Sequence, residues 1–363
     1  MKEVDVLVVG LGPAGASAAA AAAQAGARVL AVDRRPRPGL PVQCAEFVPA
    51  LLGAETGAVR IAALQDIAAM DTYLGNGAPQ HSPDFRGVMI DRAAFDAALL
   101  ADARAAGAAI LTATAFHEVR DGLVILGHGT EISARVVIGA DGPRSTVGAL
   151  AGMENLSLVE ARQITVPLTA PHHATDIFLS PEIEGGYGWL FPRGAEANLG
   201  VGAAPGAKKR LKSLLESLRR QLLSQGRIGE GVRRLTGGAI PVGGIVGLSG
   251  RIGAVPVLLA GDAAGLANPI TGAGINAAVL SGRLAGAAAA RLAAGQPRAA
   301  ADYAEEVQDL FAPSLALALR RRSGLLNHFA QGALPGPDAL RRAWIAYPDY
   351  WQTSTAAKAK EPA

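Results

Sequence analysis

The sequence has a single cysteine, Cys44, so it can form no intramolecular disulfide and can hold no iron–sulfur cluster on cysteine ligands. A lone thiol also fits a reducing compartment. The six histidines (His81, His117, His128, His172, His173 and His328) show no ligand spacing, and adjacent His172 and His173 would point to opposite faces of a strand. No metal is expected. Charged residues make up only 18% and hydrophobic residues 50%, which leaves ample material for a core and excludes wholesale disorder. Long membrane-grade runs are missing too. The uncharged stretch 6–27 is interrupted by Gly10, Gly12, Pro13, Gly15 and Gly26, is richer in alanine than leucine, and follows Asp5, which excludes a spanning helix and a signal peptide. A soluble, cytoplasmic protein is expected. The net charge of +3 hides a local excess, because residues 208–234 hold nine Lys or Arg against Glu216 and Glu230. A general nucleic-acid surface is therefore not implied.

What the chain has in quantity is backbone-special residues, Gly 45 and Pro 22, in clusters without a period. Such clusters mark turns and close backbone approach. At 363 residues the chain exceeds one ordinary domain of about 100 to 200, so two packed regions are expected. The first cluster follows a valine-rich run, 4–9, and opens an alanine-rich stretch, 14–25, before a second apolar run, 28–32. This reads strand, helix, strand. Within it, Gly10-Leu11-Gly12-Pro13-Ala14-Gly15 has GxGxxG spacing, and Asp33 ends the second strand eighteen residues after Gly15. Gly10 would permit the tight turn, Gly12 would admit a pyrophosphate, and Gly15 would let helix and strand pack. The helix N-terminus would meet the phosphates, and Asp33 would accept from a ribose hydroxyl. A dinucleotide is the expected ligand.

Two further apolar runs end in Gly and Asp: Val136 to Gly142, and Val255 to Asp262, the latter feeding a glycine turn through Asn276 and an alanine-rich helix. Between them, 156–202 and 235–248 read as strands of a second sheet over a cavity. Residues 208–225 read as an amphipathic helix with Leu211, Leu214, Leu215, Leu218 and Leu222 on one face. The predicted architecture is α/β: a discontinuous Rossmann-like domain (1–75, 86–155 and 250–300), an inserted α+β substrate domain (156–249), a helical C-terminal region (301–352) and a frayed tail (353–363).

The fingerprint Gly10–Gly15, the segment Asp91-Arg92-Ala93-Ala94-Phe95-Asp96, the turn Gly139-Ala140-Asp141-Gly142 and the Gly261-Asp262 loop resemble the markers of the hydroxylase-type FAD superfamily. Within it, Pro41-Val42-Gln43-Cys44-Ala45-Glu46, Gly186-Tyr187-Gly188-Trp189-Leu190-Phe191-Pro192, Gly238 to Gly244 and Asn268 to Ile275 resemble the geranylgeranyl reductase family. The likeness spans about residues 3–300. Many members carry Gly where this chain has Phe47, and most have a longer C-terminal region.

The resemblance implies FAD, with Asp33 on the adenosine ribose, Arg92 along the pyrophosphate, Asp262 at the ribityl or pyrophosphate end, and the turn Gly272 to Asn276 against the isoalloxazine. Gly10, Gly12, Pro13, Ala14, Gly15, Arg34, Asp141, Gly272, Gly274, Ile275 and Asn276 complete that cofactor set. It also implies that Tyr187, Trp189 and Phe191, which share one face of a strand, line a pocket for an isoprenoid chain; an aromatic core plug is the alternative. Several residues carry two readings. Each Asp is also a candidate helix N-cap, and Arg92 a candidate surface ion pair. Cys44 is either an inert thiol or a group beside the flavin, and Glu46 either a proton donor or a loop acid. The basic helix at 208–225 and the run Leu315 to Phe329, with Arg320, Arg321 and Arg322, read either as solvated surface or as contacts to anionic lipid or a prenyl pyrophosphate. With only one dinucleotide fingerprint, NAD(P)H binds transiently or a separate reductant protein delivers electrons. The expected activity is reduction of isoprenoid carbon–carbon double bonds; a flavin monooxygenase acting on an aromatic molecule or peptide is the rival. The expected partners are a lipid-like substrate and the inner membrane face.

Overall fold

The computed structural model describes residues 2–75 and 77–352; the tail expected at 353–363 lies outside them. The fold is mixed α/β, as the sequence implies. Its first sheet has eight strands in the order Ser249–Ile252, Val255–Leu259, Glu131–Gly139, Lys2–Val9, Val29–Val32 and Ala109–Leu111, extended by the antiparallel pair Leu123–Leu126 and Phe116–Arg120. Its centre is parallel, with Val6 opposite both Val136 and Val29. Those strands are apolar without alternation because both faces are covered: Val6, Leu7, Val8 and Leu30 have no exposed surface. One cover is the pair of helices Pro13–Gln24 and Ile275–Ala293. A Cβ on Gly282 or Gly286 would stand 2.2 Å from the carbonyl oxygen of Ala14 or Ala18, so the helices approach backbone to backbone. Alanine and glycine dominate both sequences for that reason.

The second sheet has seven strands: Arg234–Pro241, Leu158–Pro167, Glu196–Ala203, Tyr187–Arg193, Ala174–Leu179, Ala69–Leu74 and Gln80–Ser82. The last two come from outside the 156–249 insert; Ala69–Leu74 joins by pairing parallel to Ala174–Leu179. The predicted amphipathic helix forms over Leu211–Ser224, and its five leucines bury against one face together with Leu190, Leu199 and Val201. The opposite face presents Tyr187, Trp189 and Phe191. A small three-stranded sheet, Phe47–Pro49, Gly87–Ile90 and Ala63–Ile67, fills the seam. The helix Ala299–Ala330 then braces the first sheet, where the Tyr303 hydroxyl donates to the Leu259 carbonyl at 2.5 Å, and runs on to the second sheet. No helix among the described residues is long and apolar enough to cross a membrane.

Candidate functional site

The glycine fingerprint sits where the first strand turns into the first helix. Gly10 has φ +92°, and a Cβ there would come 2.4 Å from the Ala140 carbonyl oxygen; one on Gly15 would come 1.8 Å from the Gly10 carbonyl oxygen. Both are fixed by the fold itself. Gly12 is different, since nothing lies within 4 Å of the Cβ position there. The space in front of this helix N-terminus is open on the side where a phosphate would approach.

The aspartates that looked alike in sequence do different work. Asp33 accepts from Leu11 N–H at 2.9 Å and Arg35 N–H at 2.7 Å, bracing the fingerprint loop. Asp141 accepts from the Ser145 hydroxyl at 2.5 Å and Thr146 N–H at 2.7 Å, tying down the start of the helix Thr146–Leu150. Asp91 caps the helix Arg92–Ala105 by accepting from Ala94 N–H. Asp262 alone has no hydrogen-bond donor on its carboxylate among the described residues; its Oδ1 would lie 3.0 Å from a Cβ on Gly274, the residue that opens the helix Ile275–Ala293. Burial pushes Asp262 up to about 6, with the Arg92 guanidinium pulling it part of the way back. An anion-loving helix start, an open glycine and an uncommitted carboxylate fit the phosphates and hydroxyls of an adenine dinucleotide flavin.

Those shifts set a pH prediction. The folded value of Asp262 lies above its ordinary 3.8, so the folded state binds the extra proton between about pH 4 and 6. This carboxyl favours the fold at low pH, and its contribution is lost as pH rises through that window, by no more than about 3 kcal/mol. Flavin-free Asp262→Asn protein is expected to unfold at higher denaturant than wild type at pH 7 and at equal denaturant at pH 4. The same variant is expected to hold FAD at least tenfold more weakly, measured by flavin fluorescence on titration.

Arg92 is not a surface ion pair. Its Nε donates to Asp96 Oδ1 at 2.7 Å, and Asp96 is almost wholly buried. Burial pulls Arg92 down, but the Asp96 carboxylate and the Cys44 thiol beside it more than offset this, leaving its pKa above the ordinary value. Arg92 thus lies within electrostatic reach of both Cys44 and Asp262, while Arg34 is exposed.

The loop carrying Cys44 is clamped by the second sheet. Thr236 Oγ1 donates to the Val42 carbonyl at 2.6 Å, Gln163 Nε2 to the Cys44 carbonyl at 3.1 Å and Asn198 Nδ2 to the Ala45 carbonyl at 3.1 Å. Glu46, at φ +71° and almost fully buried, accepts from Arg234 Nη2 at 2.7 Å and Asn198 Nδ2 at 2.9 Å, with Arg193 Nε at 3.7 Å. Its own N–H donates to Cys44 Sγ at 3.2 Å. Two guanidiniums and an amide thus tie the Glu46 carboxylate, and with it the Cys44 loop, to the second sheet. Gln163, Asn198, Arg193 and Arg234 were not singled out from the sequence. For Gln163 and Asn198 the available signal was a polar side chain at a buried register of a strand; the two arginines, at strand ends, offered none.

The aromatic face adjoins this loop. Trp189 Nε1 donates to Gln163 Oε1 at 3.0 Å, and the Tyr187 hydroxyl donates to the Thr271 carbonyl at 2.5 Å, binding the face to the glycine turn before the helix Ile275–Ala293. Trp344 and Tyr347 of the C-terminal region pack on it, with Trp344 and Tyr187 ring centroids 4.8 Å apart. The run Leu315 to Phe329 is not a solvated or lipid-dipping surface throughout, because Leu315, Arg322 and Leu325 are buried and Arg321 lies over the Tyr350 ring.

Comparison with known proteins bears on the whole chain. The lycopene cyclase protein family matches residues 5–178. Digeranylgeranylglycerophospholipid reductase 2 of Methanosphaera stadtmanae is 34% identical over 320 residues, covering 80% of this chain and 79% of the relative. Among solved structures, a geranylgeranyl bacteriochlorophyll reductase-like protein of Thermoplasma acidophilum superposes with a TM-score of 0.79 at 25% identity, covering 96% of this chain and 98% of the other. PqsL of Pseudomonas aeruginosa, described as a probable FAD-dependent monooxygenase, shares the fold with a TM-score of 0.68 at 22% identity, covering 90% and 96%.

Proposed function

Because the chain belongs to the geranylgeranyl reductase family of FAD-dependent oxidoreductases, we propose that it hydrogenates carbon–carbon double bonds of an isoprenoid lipid. The observation that carries this reading is the bond from Tyr187 to Thr271, which ties the apolar aromatic face to the glycine turn beside Asp262. Bound reduced flavin supplies the hydride for one alkene carbon. The rest is work for this chain's own residues. Gly12, Arg92, Asp262 and the start of the helix Ile275–Ala293 hold the cofactor's polar end. Tyr187, Trp189 and Phe191 exclude water and align the chain, which converts a rare encounter into an oriented one. Cys44 Sγ, facing Arg92, delivers the proton to the second carbon. Glu46 holds the Cys44 loop in place, while NAD(P)H or a reductant protein recharges the flavin from outside.

The deciding experiment is to reduce the flavoprotein without oxygen and mix it separately with a geranylgeranyl lipid and with oxygen. Reoxidation by the alkene, with two hydrogens added per flavin, is expected. Oxygen-coupled hydroxylation of an aromatic molecule, with no reaction with the alkene, would favour the monooxygenase reading instead. Trp189→Phe keeps an aromatic side chain but loses part of the ring surface and the donor to Gln163, so KM is expected to rise about threefold to tenfold at unchanged flavin content, read by steady-state kinetics.

A further inference from the structure

The apolar face that carries Tyr187, Trp189 and Phe191 is covered by the chain itself. Residues 333–352, with the short helices Pro337–Arg342 and Pro348–Trp351, lie across it, and Trp344 and Tyr347 are buried in one cluster with Trp189 and Phe191. The cleft left between the two, lined by Tyr187, Ile270 and Trp344 among others, holds about 20 Å³, which is room for one water and not for a hydrocarbon chain. The covering segment is lightly tied. From Leu334 onward its hydrogen bonds among the described residues are internal, such as Trp344 N–H to the Arg341 carbonyl and Trp351 Nε1 to the Ile345 carbonyl, and so is its ion pair, Arg341 with Asp338. Arg321 is the exception. Its Nε donates to the Tyr350 carbonyl at 2.8 Å and its Nη2 to the Gln352 carbonyl, with the guanidinium over the Tyr350 ring. The indole N–H of Trp344 is buried without a hydrogen-bond partner, so the covered arrangement leaves a polar group unsatisfied. The segment hangs from the helix Ala299–Ala330 by residues 331–336, of which Pro335 alone is buried, and Gly332 among them has φ +71°.

We propose that residues 333–352 form a hinged strap, latched by Arg321, that covers the aromatic face and yields it to an isoprenoid chain. Apart from the latch, the contacts that hold the strap are apolar: Leu340 and Ala343 cluster with Leu325, and Trp344 and Tyr347 with the aromatic face. Apolar contact is non-directional, so a hydrocarbon replaces it in kind. Strap and substrate thus compete for one surface, and apparent affinity is reduced to the extent that the strap is closed. The inference rests on the reading of this face as the isoprenoid site. It makes Arg321 a positioning residue that acts through the strap.

Hydrogen exchange of the flavoprotein tests the strap without any ligand. The amides of Leu340, Ala343, Trp344, Tyr347 and Tyr350, all bonded within the segment, are expected to exchange as one unit and ahead of the strand Tyr187–Arg193 beneath them. Arg321→Met keeps the stem and loses the latch donors, so it should speed that unit about tenfold and leave residues 6–9 of the first strand unchanged. In a titration with geranylgeraniol read by flavin absorbance, Arg321→Met should bind the alcohol more tightly than wild type by the same factor, because both measurements report the open fraction. The sign decides the matter, since cutting back a residue that lined the pocket would weaken binding. Trp344→Leu should act in the same direction as Arg321→Met and serves if that variant fails to fold. Weaker or unchanged binding by flavin-loaded Arg321→Met would overturn the strap, as would faster exchange confined to residues 350–352. Failure of wild type and variant alike to bind the alcohol, with the exchange result intact, would instead sink the isoprenoid reading of the face.

Discussion

Gly15→Val is expected to give a protein that purifies without flavin and melts at least ~5 °C lower, if it accumulates in soluble form at all. The reason is local and steric. A Cβ at position 15 would stand 1.8 Å from the Gly10 carbonyl oxygen and 3.3 Å from Ala140 Cβ, and Gly10 is itself pressed against the Ala140 carbonyl. Three chain segments meet there: the end of the first strand, the start of the first helix and the end of the strand Glu131–Gly139. Backbone cannot rotate aside as a side chain does, so relief requires shifting the helix off the sheet. That moves it against Gly282 and Gly286 on the neighbouring helix as well. Overpacking in cores costs about 1–3 kcal/mol, and a clash with main chain belongs at or above the top of that range. Gly12→Ala supplies the contrast. With nothing within 4 Å of its Cβ position, it should melt within ~2 °C of wild type in flavin-free form, yet bind FAD more weakly. Equal loss of stability in both variants would refute the division between a glycine required by packing and one required by a ligand. Thermal melts with and without added FAD, beside the flavin absorbance of the purified proteins, make the comparison.

That contrast also explains what the sequence could tell. GxGxxG is legible because its demands are steric and local, and strand, turn and helix all fall within one short stretch. The leucine face of Leu211–Ser224 is legible for the same reason, as one helix repeat displays it. The aspartates show the opposite. Asp33, Asp141 and Asp262 each end an apolar strand beside a glycine loop, and nothing adjacent in sequence distinguishes the two that hold nearby donors from the one that, among the described residues, holds none. Which donors converge on a carboxylate is decided by tertiary packing. Arg322 is the sharper case. In sequence it is one of three consecutive arginines and reads as surface, but successive helical positions point about 100° apart, so one of the three can face the interior while its neighbours do not. The clamp on the Cys44 loop joins residues more than a hundred positions apart, beyond the reach of any spacing rule.

The second large effect is expected at that clamp. Glu46→Gln preserves shape and removes the charge that faces two arginines. Arg234 and Arg193 are then left in the seam between the two sheets without a counter-ion among the described residues, since Glu46 is the carboxylate that both approach. Breaking a buried pair from one side costs about 3–5 kcal/mol when both partners are sequestered; Arg234 keeps some solvent, so about 3 kcal/mol is the expected loss. Function should suffer by a separate route. Glu46 N–H donates to Cys44 Sγ and Asn198 ties both Ala45 and Glu46 to the second sheet, so loosening that loop would move the thiol from where the proposed proton delivery needs it. Turnover is therefore expected to fall about tenfold to a hundredfold with flavin content unchanged. The double variant Glu46→Gln with Arg234→Gln separates anchor from acid. For an anchor, removing both charges restores part of the stability and part of the turnover, a coupling of about 1–3 kcal/mol in a double-mutant cycle. A proton donor would behave otherwise: Glu46→Gln alone would abolish alkene reduction with little change in melting temperature, and no change at Arg234 would bring it back.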